Sequence, residues 1–288
     1  MHRSALVGAT DLRTQLADGD PPRLLDVRWT LAGAQPEHYR HGHLPGAVFC
    51  DLDAELAGPP GDGGRHPLPS AQHFSEVMRR LGIGPSTEVV AYDAGTPAPM
   101  AAARAWWVLR WFGHPGVRVL DGGLMAWLAA GGAIETGSVA PAPAPDAVVH
   151  PGSMPVLTLA QLSEQVLRSG RPDGILLDAR AHERFTGTTE PVDPVAGHIP
   201  GAVNLPMSLV VGRDGRLLAT DALRAALHEA LPSAPGDDAQ QVAASCGSGV
   251  TAAVLVLALH EIGVDAALFP GSWSQWVRDP TRPVATGC

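Results

Sequence analysis

The sequence contains no lysine, and all 20 of its basic residues are arginine. Without lysine there is neither a Schiff-base attachment for pyridoxal phosphate nor a P-loop lysine. The three cysteines, Cys50, Cys246 and Cys288, are widely separated and odd in number. This pattern supports neither a disulfide framework nor a CxxC zinc site. A single reactive thiol is therefore the form of cysteine chemistry that the sequence still allows.

Long apolar runs and an excess of positive charge are also missing. No stretch approaches the ~20 continuous apolar residues of a membrane span. The first 25 residues carry several charges and no continuous apolar block, so they do not read as a secretion signal and we expect a cytoplasmic protein. The net charge of −9 disfavours a general nucleic-acid binder. Neither a membrane nor a nucleic acid is expected as a partner.

The chain of 288 residues is 45% hydrophobic and contains an internal repeat. Leu24–Arg28 (LLDVR) recurs as Leu176–Arg180 (LLDAR). Gly42–Val48 (GHLPGAV) recurs as Gly197–Val203 (GHIPGAV) at nearly the same separation. Repetition at matched intervals predicts two similar domains. We place them at residues 1–135 and 156–288, joined by an Ala/Pro-rich linker over residues 136–155.

Each half follows the same order of predicted elements. A short buried strand precedes the Gly-His turn, and a helix and a second apolar strand follow it. A loop of small residues, another helix and a third strand then lead to a Gly and a Trp. Strands alternating with helices predict an α/β fold with one parallel sheet in each half. Ligands bind such sheets at the carboxyl ends of the strands, where the small-residue loop lies.

Cys246 lies in the small-residue loop of the second half. Gly247 and Gly249 allow tight curvature, and a helix is predicted to begin near Val250. Successive backbone N–H groups and the positive end of that helix would stabilise a thiolate or persulfide. The alternative is a buried cysteine that packs as a small hydrophobic residue. At the corresponding position the first half has Asp93, which cannot act as a soft nucleophile, so we expect one site per chain.

The duplicated motifs, with a cysteine loop in the second copy alone, resemble tandem-domain rhodanese-like sulfurtransferases over residues 24–283. The resemblance implies two tandem rhodanese-like domains, each a parallel sheet flanked by helices. The loop CGSGVT, residues 246–251, resembles that of the 3-mercaptopyruvate sulfurtransferase branch. The thiosulfate-preferring branch carries basic residues after its cysteine, which suits a dianionic donor. Gly247 and Ser248 supply no charge.

The same resemblance implies a serine–histidine–aspartate relay. Ser248, His66 and Asp53 match its members: Asp53 would orient His66, and His66 would polarise Ser248 for proton transfer at the substrate. The alternative for Ser248 is a loop hydroxyl that bonds the backbone. The alternative for His66 and Asp53 is that they are turn residues in or beside a Gly/Pro-rich surface loop.

A monoanionic donor approaching an acidic protein needs a local cation. The resemblance assigns this role to Arg184, whose guanidinium can hold a carboxylate bidentately. The alternative is a surface arginine paired with Glu183 or Glu190. A second substrate arginine that the resemblance implies is missing, and residues 190–194 (EPVDP) stand in its place. The loop residues expected to bind the donor are Gly247, Gly249, Val250 and Thr251.

These observations predict a sulfurtransferase that works through a Cys246 persulfide. The donor is expected to be 3-mercaptopyruvate, and the acceptor a thiol, cyanide or a thioredoxin-like dithiol. No metal or organic cofactor is expected. Two alternatives stay open: a thiosulfate:cyanide sulfurtransferase, or a non-catalytic persulfide carrier or redox module. A cysteine phosphatase of similar fold is disfavoured because the loop is not closed by an arginine.

Overall fold

The structure is a computed structural model that describes residues 4–19, 21–95, 97–144, 146–228, 230–231 and 241–287. The chain divides into two compact units. The first contains the residues up to Gly58, Leu68–Met154 and Gly212–Leu217; the second contains Pro59–Pro67, Pro155–Val211 and the residues from Leu218 onward. The domain boundaries that we infer at residues 135 and 156 stay a prediction, and Cys288 lies outside the described residues.

The first unit is built on a parallel sheet of five strands in the order β1-β7-β6-β2-β5, beside a two-stranded antiparallel ribbon of β3 and β4. Its strands are β1 Leu6–Val7, β2 Arg23–Asp26, β3 Trp29–Thr30, β4 Gly33–Ala34, β5 Val48–Phe49, β6 Val89–Tyr92 and β7 Val117–Leu120. Its helices are α1 Ala9–Ala17, α2 Pro36–His41, α3 Leu52–Glu55, α4 Ala71–Leu81, α5 Met100–Trp111 and α6 Gly123–Ala129.

The second unit has a parallel sheet of four strands in the order β11-β10-β8-β9. The strands are β8 Ile175–Asp178, β9 Val203–Asn204, β10 Val242–Ser245 and β11 Ala266–Leu268. The helices are α7 Leu159–Ser169, α8 His182–Thr186, α9 Thr220–His228, α10 Ala252–Glu261 and α11 Ser272–Trp276, with a short 3₁₀ turn at Met207–Leu209. Strand β10 lies between β8 and β11, in the interior of the sheet.

Local sequence explains the limits of the helices that flank the sheets. Helix α4 begins where Ser70 Oγ accepts the N–H of His73, and ends at Gly82 with φ of 68°. Helix α7 begins with a capping box of Thr158 and Gln161 and ends at Gly170 with φ of 76°. Helix α10 is buried from Ala252 to Leu259, as a helix that is apolar on every face must be.

The predicted α/β architecture with two parallel sheets is confirmed. The sequence does not reveal the two-residue strands β1, β5 and β9 or the antiparallel ribbon, because such short strands carry no readable alternation of apolar residues. Helix α10 begins at Ala252, two residues after Val250, and Thr251 is its N-cap. In the described part of the chain, no helix has the length and apolar character needed to cross a membrane.

Candidate active site

Cys246 follows directly on the carboxyl end of β10, and four buried residues of that strand carry it. Only 2% of its surface is exposed. Its Sγ accepts the backbone N–H of Gly249 at 3.1 Å. Gly249 has φ of +79°, and a Cβ there would lie 2.3 Å from the carbonyl oxygen of Pro270. The turn that directs this N–H at the sulfur therefore requires glycine.

The loop is fixed to the start of α11 through backbone groups and one strained serine. The N–H of Cys246 donates to Ser272 Oγ at 3.0 Å, and that hydroxyl donates to the carbonyl of Phe269 at 2.8 Å. Trp273 and Ser274 donate their N–H groups to the carbonyls of Cys246 and Gly247. Ser272 has φ of 51°, and it is the one non-glycine residue with positive φ in the described part of the chain. Backbone strain of this kind is held in place only by its surroundings.

Ser248 and His66 meet in the second unit. Ser248 Oγ lies 2.7 Å from His66 Nδ1. The segment Pro59–Pro67 carries His66 and belongs to this unit. It is held by hydrogen bonds from the Arg65 N–H to Ser274 Oγ and from Gln275 Nε2 to the Asp62 carbonyl, at 3.1 Å each. The serine–histidine part of the predicted relay thus has hydrogen-bonding geometry.

Asp53, the third member of the predicted relay, belongs to the first unit. It lies in α3, where its carboxylate accepts the indole N–H of Trp29 at 2.9 and 3.0 Å. Its action on His66 stays a prediction. Val250 and Thr251 complete the loop before α10, and Val250 is buried. Donor binding by these two residues also stays a prediction.

A chain of alternating ion pairs lies in the second unit. Asp178 pairs with Arg180 at 2.7 Å, and Arg180 with Glu190 at 3.4 Å. Arg184 pairs with Glu190 at 2.6 Å and with Asp193 at 3.2 Å. Arg184 therefore pairs with Glu190, as the alternative to a donor-binding role predicted, and it pairs with Asp193 as well. This row of ion pairs ends at Arg65, whose guanidinium contacts the carboxylate of Asp193.

Two of these guanidinium groups lie against Gly247, the residue after Cys246. A Cβ built on Gly247 would lie 2.8 Å from Nη2 of Arg65, and 3.6 and 3.7 Å from Nη2 and Nη1 of Arg184. Sequence reasoning did not single out Arg65, although it directly precedes the predicted relay histidine. That adjacency was the available signal, because a segment that brings His66 to Ser248 also brings its neighbour close to the loop.

The pKa values of Glu190 and Asp193 are shifted in opposite directions. Burial raises the pKa of Asp193 above its ordinary value, although Arg65 and Arg184 act against the rise. Burial also acts on Glu190, but the hydrogen bonds from Arg184 and from the N–H groups of Asp193 and Val192 hold its pKa below the ordinary value. Glu190 is thus the firmly charged member of the pair, and Asp193 is the one that protonates more readily.

The charged pair at the end of β8 makes structural contacts. Arg180 is buried, hydrogen-bonds both carboxylate oxygens of Asp178, and stacks on the ring of Trp273 at 4.8 Å. Trp273 and Trp276, which follow the third strand, pack in the hydrophobic core of the unit. These contacts fix the sheet end from which Cys246 emerges.

Comparison with known proteins agrees with this arrangement. The family model for the rhodanese-like domain matches the chain twice, at residues 8–130 and 158–279. The two matches cover most of the sequence, and each falls on one parallel sheet. The chain belongs to the rhodanese-like family.

The names of similar proteins include two different sulfur donors. The chain is 48% identical over 287 residues to a Mycobacterium tuberculosis protein provisionally named thiosulfate sulfurtransferase SseB, covering 98% of this chain and 97% of that one. It is 41% identical over 295 residues to a Pseudomonas aeruginosa protein provisionally named 3-mercaptopyruvate sulfurtransferase, covering 100% of both. The crystal structure of SseA, a 3-mercaptopyruvate sulfotransferase from Escherichia coli, matches with a TM-score of 0.78 and 32% identity, over 94% of this chain and 100% of that one.

The predictions of tandem rhodanese-like domains and of a sulfurtransferase are therefore confirmed. A sulfurtransferase needs a sulfur donor and a sulfur acceptor. The names of the relatives include both mercaptopyruvate and thiosulfate, so the choice of donor has to come from the chemistry of the site.

Proposed function

We propose that this chain transfers sulfur from 3-mercaptopyruvate to a thiol or cyanide acceptor through a persulfide on Cys246. The observation that carries the proposal is that the Cys246 loop brings the cysteine sulfur next to a serine–histidine pair. The Cys246 sulfur accepts the Gly249 N–H, and two residues after the cysteine Ser248 contacts His66 at 2.7 Å. A nucleophilic sulfur and a proton-transfer pair are thereby held side by side.

In the first step the Cys246 thiolate attacks the thiol sulfur of the donor. A sulfur–sulfur bond forms, the carbon–sulfur bond breaks, and its electrons pass to the three-carbon fragment as an enolate. That fragment takes up a proton and leaves as pyruvate. Ser248 and His66 are suited to moving the proton, since the serine hydroxyl can donate to Nδ1 of the histidine and relay a proton to the leaving group.

In the second step the acceptor attacks the outer sulfur of the persulfide. The sulfur–sulfur bond breaks and the Cys246 thiolate is restored, which gives a ping-pong scheme. The Gly249 N–H donates to the Cys246 sulfur and would stabilise negative charge in the free enzyme and in the persulfide form. A thioredoxin-like dithiol as acceptor, and a cytoplasmic location, belong to this proposal as predictions from the sequence.

The charges of the site support a donor with one negative charge. The two residues that follow Cys246 are uncharged, and the nearby arginines are each paired with a carboxylate. A dianion such as thiosulfate would meet little net positive charge there. Arg184 supplies a forked donor for a carboxylate, in keeping with its expected role.

Thiosulfate remains the second candidate donor, because the 48% identical relative bears that name. A donor panel on the purified full-length protein separates the two. We expect kcat/KM for mercaptopyruvate to exceed that for thiosulfate, and equal or reversed values would refute the choice of donor. Mass measurement should show one added sulfur on Cys246 after donor alone. A stable persulfide without multiple turnover would favour the carrier module instead.

A further inference from the structure

The ion-pair chain ends on a guanidinium beside the reactive loop. We propose that Arg65 is a second donor-binding arginine of this site and that Asp193 positions it and tunes the site toward singly charged donors, an inference that rests on the proposed function. Its ligand is the carboxylate of the donor. No motif assigns either residue to this task.

The position of Arg65 is fixed from both ends. Its backbone N–H donates to Ser274 Oγ at 3.1 Å, and Ser274 in turn donates its N–H to the Gly247 carbonyl at 2.9 Å. Its guanidinium contacts the Asp193 carboxylate, while Nη2 comes close to the α-carbon face of Gly247. The side chain is 30% exposed, so an anion entering from solvent can reach it.

Asp193 brings two arginines to one place. Its Oδ1 accepts from Arg65 and its Oδ2 from Arg184, and the carboxylate is only 3% exposed. Both guanidinium groups consequently face Gly247. Two adjacent guanidinium groups can hydrogen-bond the two oxygens of one carboxylate. This arrangement is more selective for a carboxylate donor than one arginine alone. The segment of residues 190–194 thus lacks the arginine that the family resemblance implies, and Arg65 supplies a cation from another part of the chain.

Within the row of ion pairs, the positive and negative charges balance. Three arginines, Arg65, Arg180 and Arg184, alternate with three carboxylates, Asp178, Glu190 and Asp193. A balanced cluster offers directed N–H donors without a large net positive field. The directed N–H donors can recognise a monoanion by its geometry, while the small net charge attracts a dianion only weakly. Removing the Asp193 charge should therefore shift the preference toward dianionic donors.

A test that needs no sulfur donor compares alkylation of Cys246 by iodoacetate, which is an anion, and by iodoacetamide, which is neutral. We expect Arg65→Gln to lower the iodoacetate-to-iodoacetamide rate ratio by about three- to tenfold, and Asp193→Asn to raise it by a similar factor, as loss of one unit charge near the sulfur requires. Arg65→Lys should keep part of the ratio. The control Arg168→Gln removes an arginine from an exposed pair with Asp173 and should leave the ratio unchanged.

Steady-state kinetics then tests the donor. We expect Arg65→Gln to raise KM for mercaptopyruvate by about tenfold with a smaller change in kcat, because a binding contact is lost. Asp193→Asn should raise kcat/KM for thiosulfate relative to mercaptopyruvate by about tenfold. A wild-type protein that prefers thiosulfate, with the alkylation ratios changing as expected, would refute the donor and leave Arg65 as the anion-binding residue. Unchanged alkylation ratios in both variants would overturn the inference even if mercaptopyruvate is the donor.

Discussion

The two units place different groups at the same point of the same fold. Cys246 follows β10, and its sulfur accepts the N–H of Gly249. Asp93 follows β6, and its carboxylate accepts the N–H groups of Gly95 at 2.9 Å, Ala101 at 3.1 Å and Ala102 at 3.2 Å. Both loops direct backbone N–H groups at the side chain, three at the Asp93 carboxylate and the Gly249 N–H at the Cys246 sulfur. In the first unit a fixed carboxylate fills that place, and in the second a sulfur does.

The scaffold around the two loops is alike. Arg28 bonds Asp26 at 2.7 Å and the Gly42 carbonyl at 2.7 Å, and Arg180 bonds Asp178 at 2.7 Å and the Gly197 carbonyl at 2.8 Å. The turn histidines also match, since His43 stacks on Tyr39 and His198 on Phe185. The repeated motifs in the sequence therefore build the sheet ends, while the residues that we propose for the chemistry differ between the copies.

The substitution Cys246→Ser should separate the two units most strongly. We expect turnover with every donor to fall by more than about 10³-fold, because oxygen cannot replace sulfur as the persulfide carrier. Asp93→Asn, the matched change in the first unit, should leave sulfur transfer within about twofold of wild type. Donor-dependent mass labelling should locate the added sulfur on Cys246 alone. Label on Cys50, or transfer by the serine variant, would contradict a single site.

The next largest effect concerns the pair of Ser248 and His66. Ser248→Ala should lower kcat for mercaptopyruvate by about 10²- to 10³-fold, as removal of a proton-transfer group does. His66→Asn should cost a similar factor, and the double variant little more, since the two act as one unit. The pH profile of kcat distinguishes this role from a structural one. If both variants keep the wild-type profile and rate, the relay is wrong for this chain.

In the first unit the carboxylate of Asp93 gives a pH-dependent stability. Burial raises the pKa of Asp93 to about 6 from an ordinary 3.8, against the opposing hydrogen bonds from Gly95, Ala102 and Ala101. Below pH 3.8 the group is neutral in both the folded and unfolded states, and above pH 6 it is charged in both. Its contribution to the free energy of unfolding therefore falls as pH rises through this window, by about 3 kcal/mol.

Asp93→Asn removes this titration. The difference in unfolding free energy, wild type minus variant, should decrease by about 2 kcal/mol between pH 4 and pH 7 in chemical denaturation. The Cys246→Ser variant keeps Asp93 and should parallel the wild type over the same range. A flat difference for Asp93→Asn would show that the loop stabilises the charged carboxylate fully.

Sequence reasoning reached the features that are local or repeated. The motifs at Asp26 and Asp178, the glycines around Cys246 and the order of strands and helices all have signatures within a few residues. Arg65 has no signature beyond its place next to His66, because its position depends on contacts with Ser274 and Asp193, which lie far along the chain. The membership of Pro59–Pro67 in the second unit likewise depends on tertiary contacts that local composition does not encode.

The smallest predicted effect concerns the strained residue that anchors the cysteine. Ser272 has φ of 51°, and Gly123, which precedes Leu124 as Ser272 precedes Trp273, has φ of 54°. The first unit thus meets the same backbone demand with glycine, which carries no strain there. The serine is favoured in the second unit because its Oγ accepts the Cys246 N–H.

Ser272→Gly should relieve strain of about 1 kcal/mol but lose two buried hydrogen bonds worth about 2 kcal/mol together, so it should be less stable than wild type by about 1 kcal/mol. Ser272→Ala keeps the strain, loses both bonds and should be less stable than wild type by about 2 kcal/mol. Both should lower kcat about five- to tenfold, because the Cys246 backbone is no longer held, and a small misplacement of a nucleophile is costly. Equal stability of the two variants would show that the positive φ carries no strain, and a wild-type kcat in both would show that the anchor does not position the sulfur.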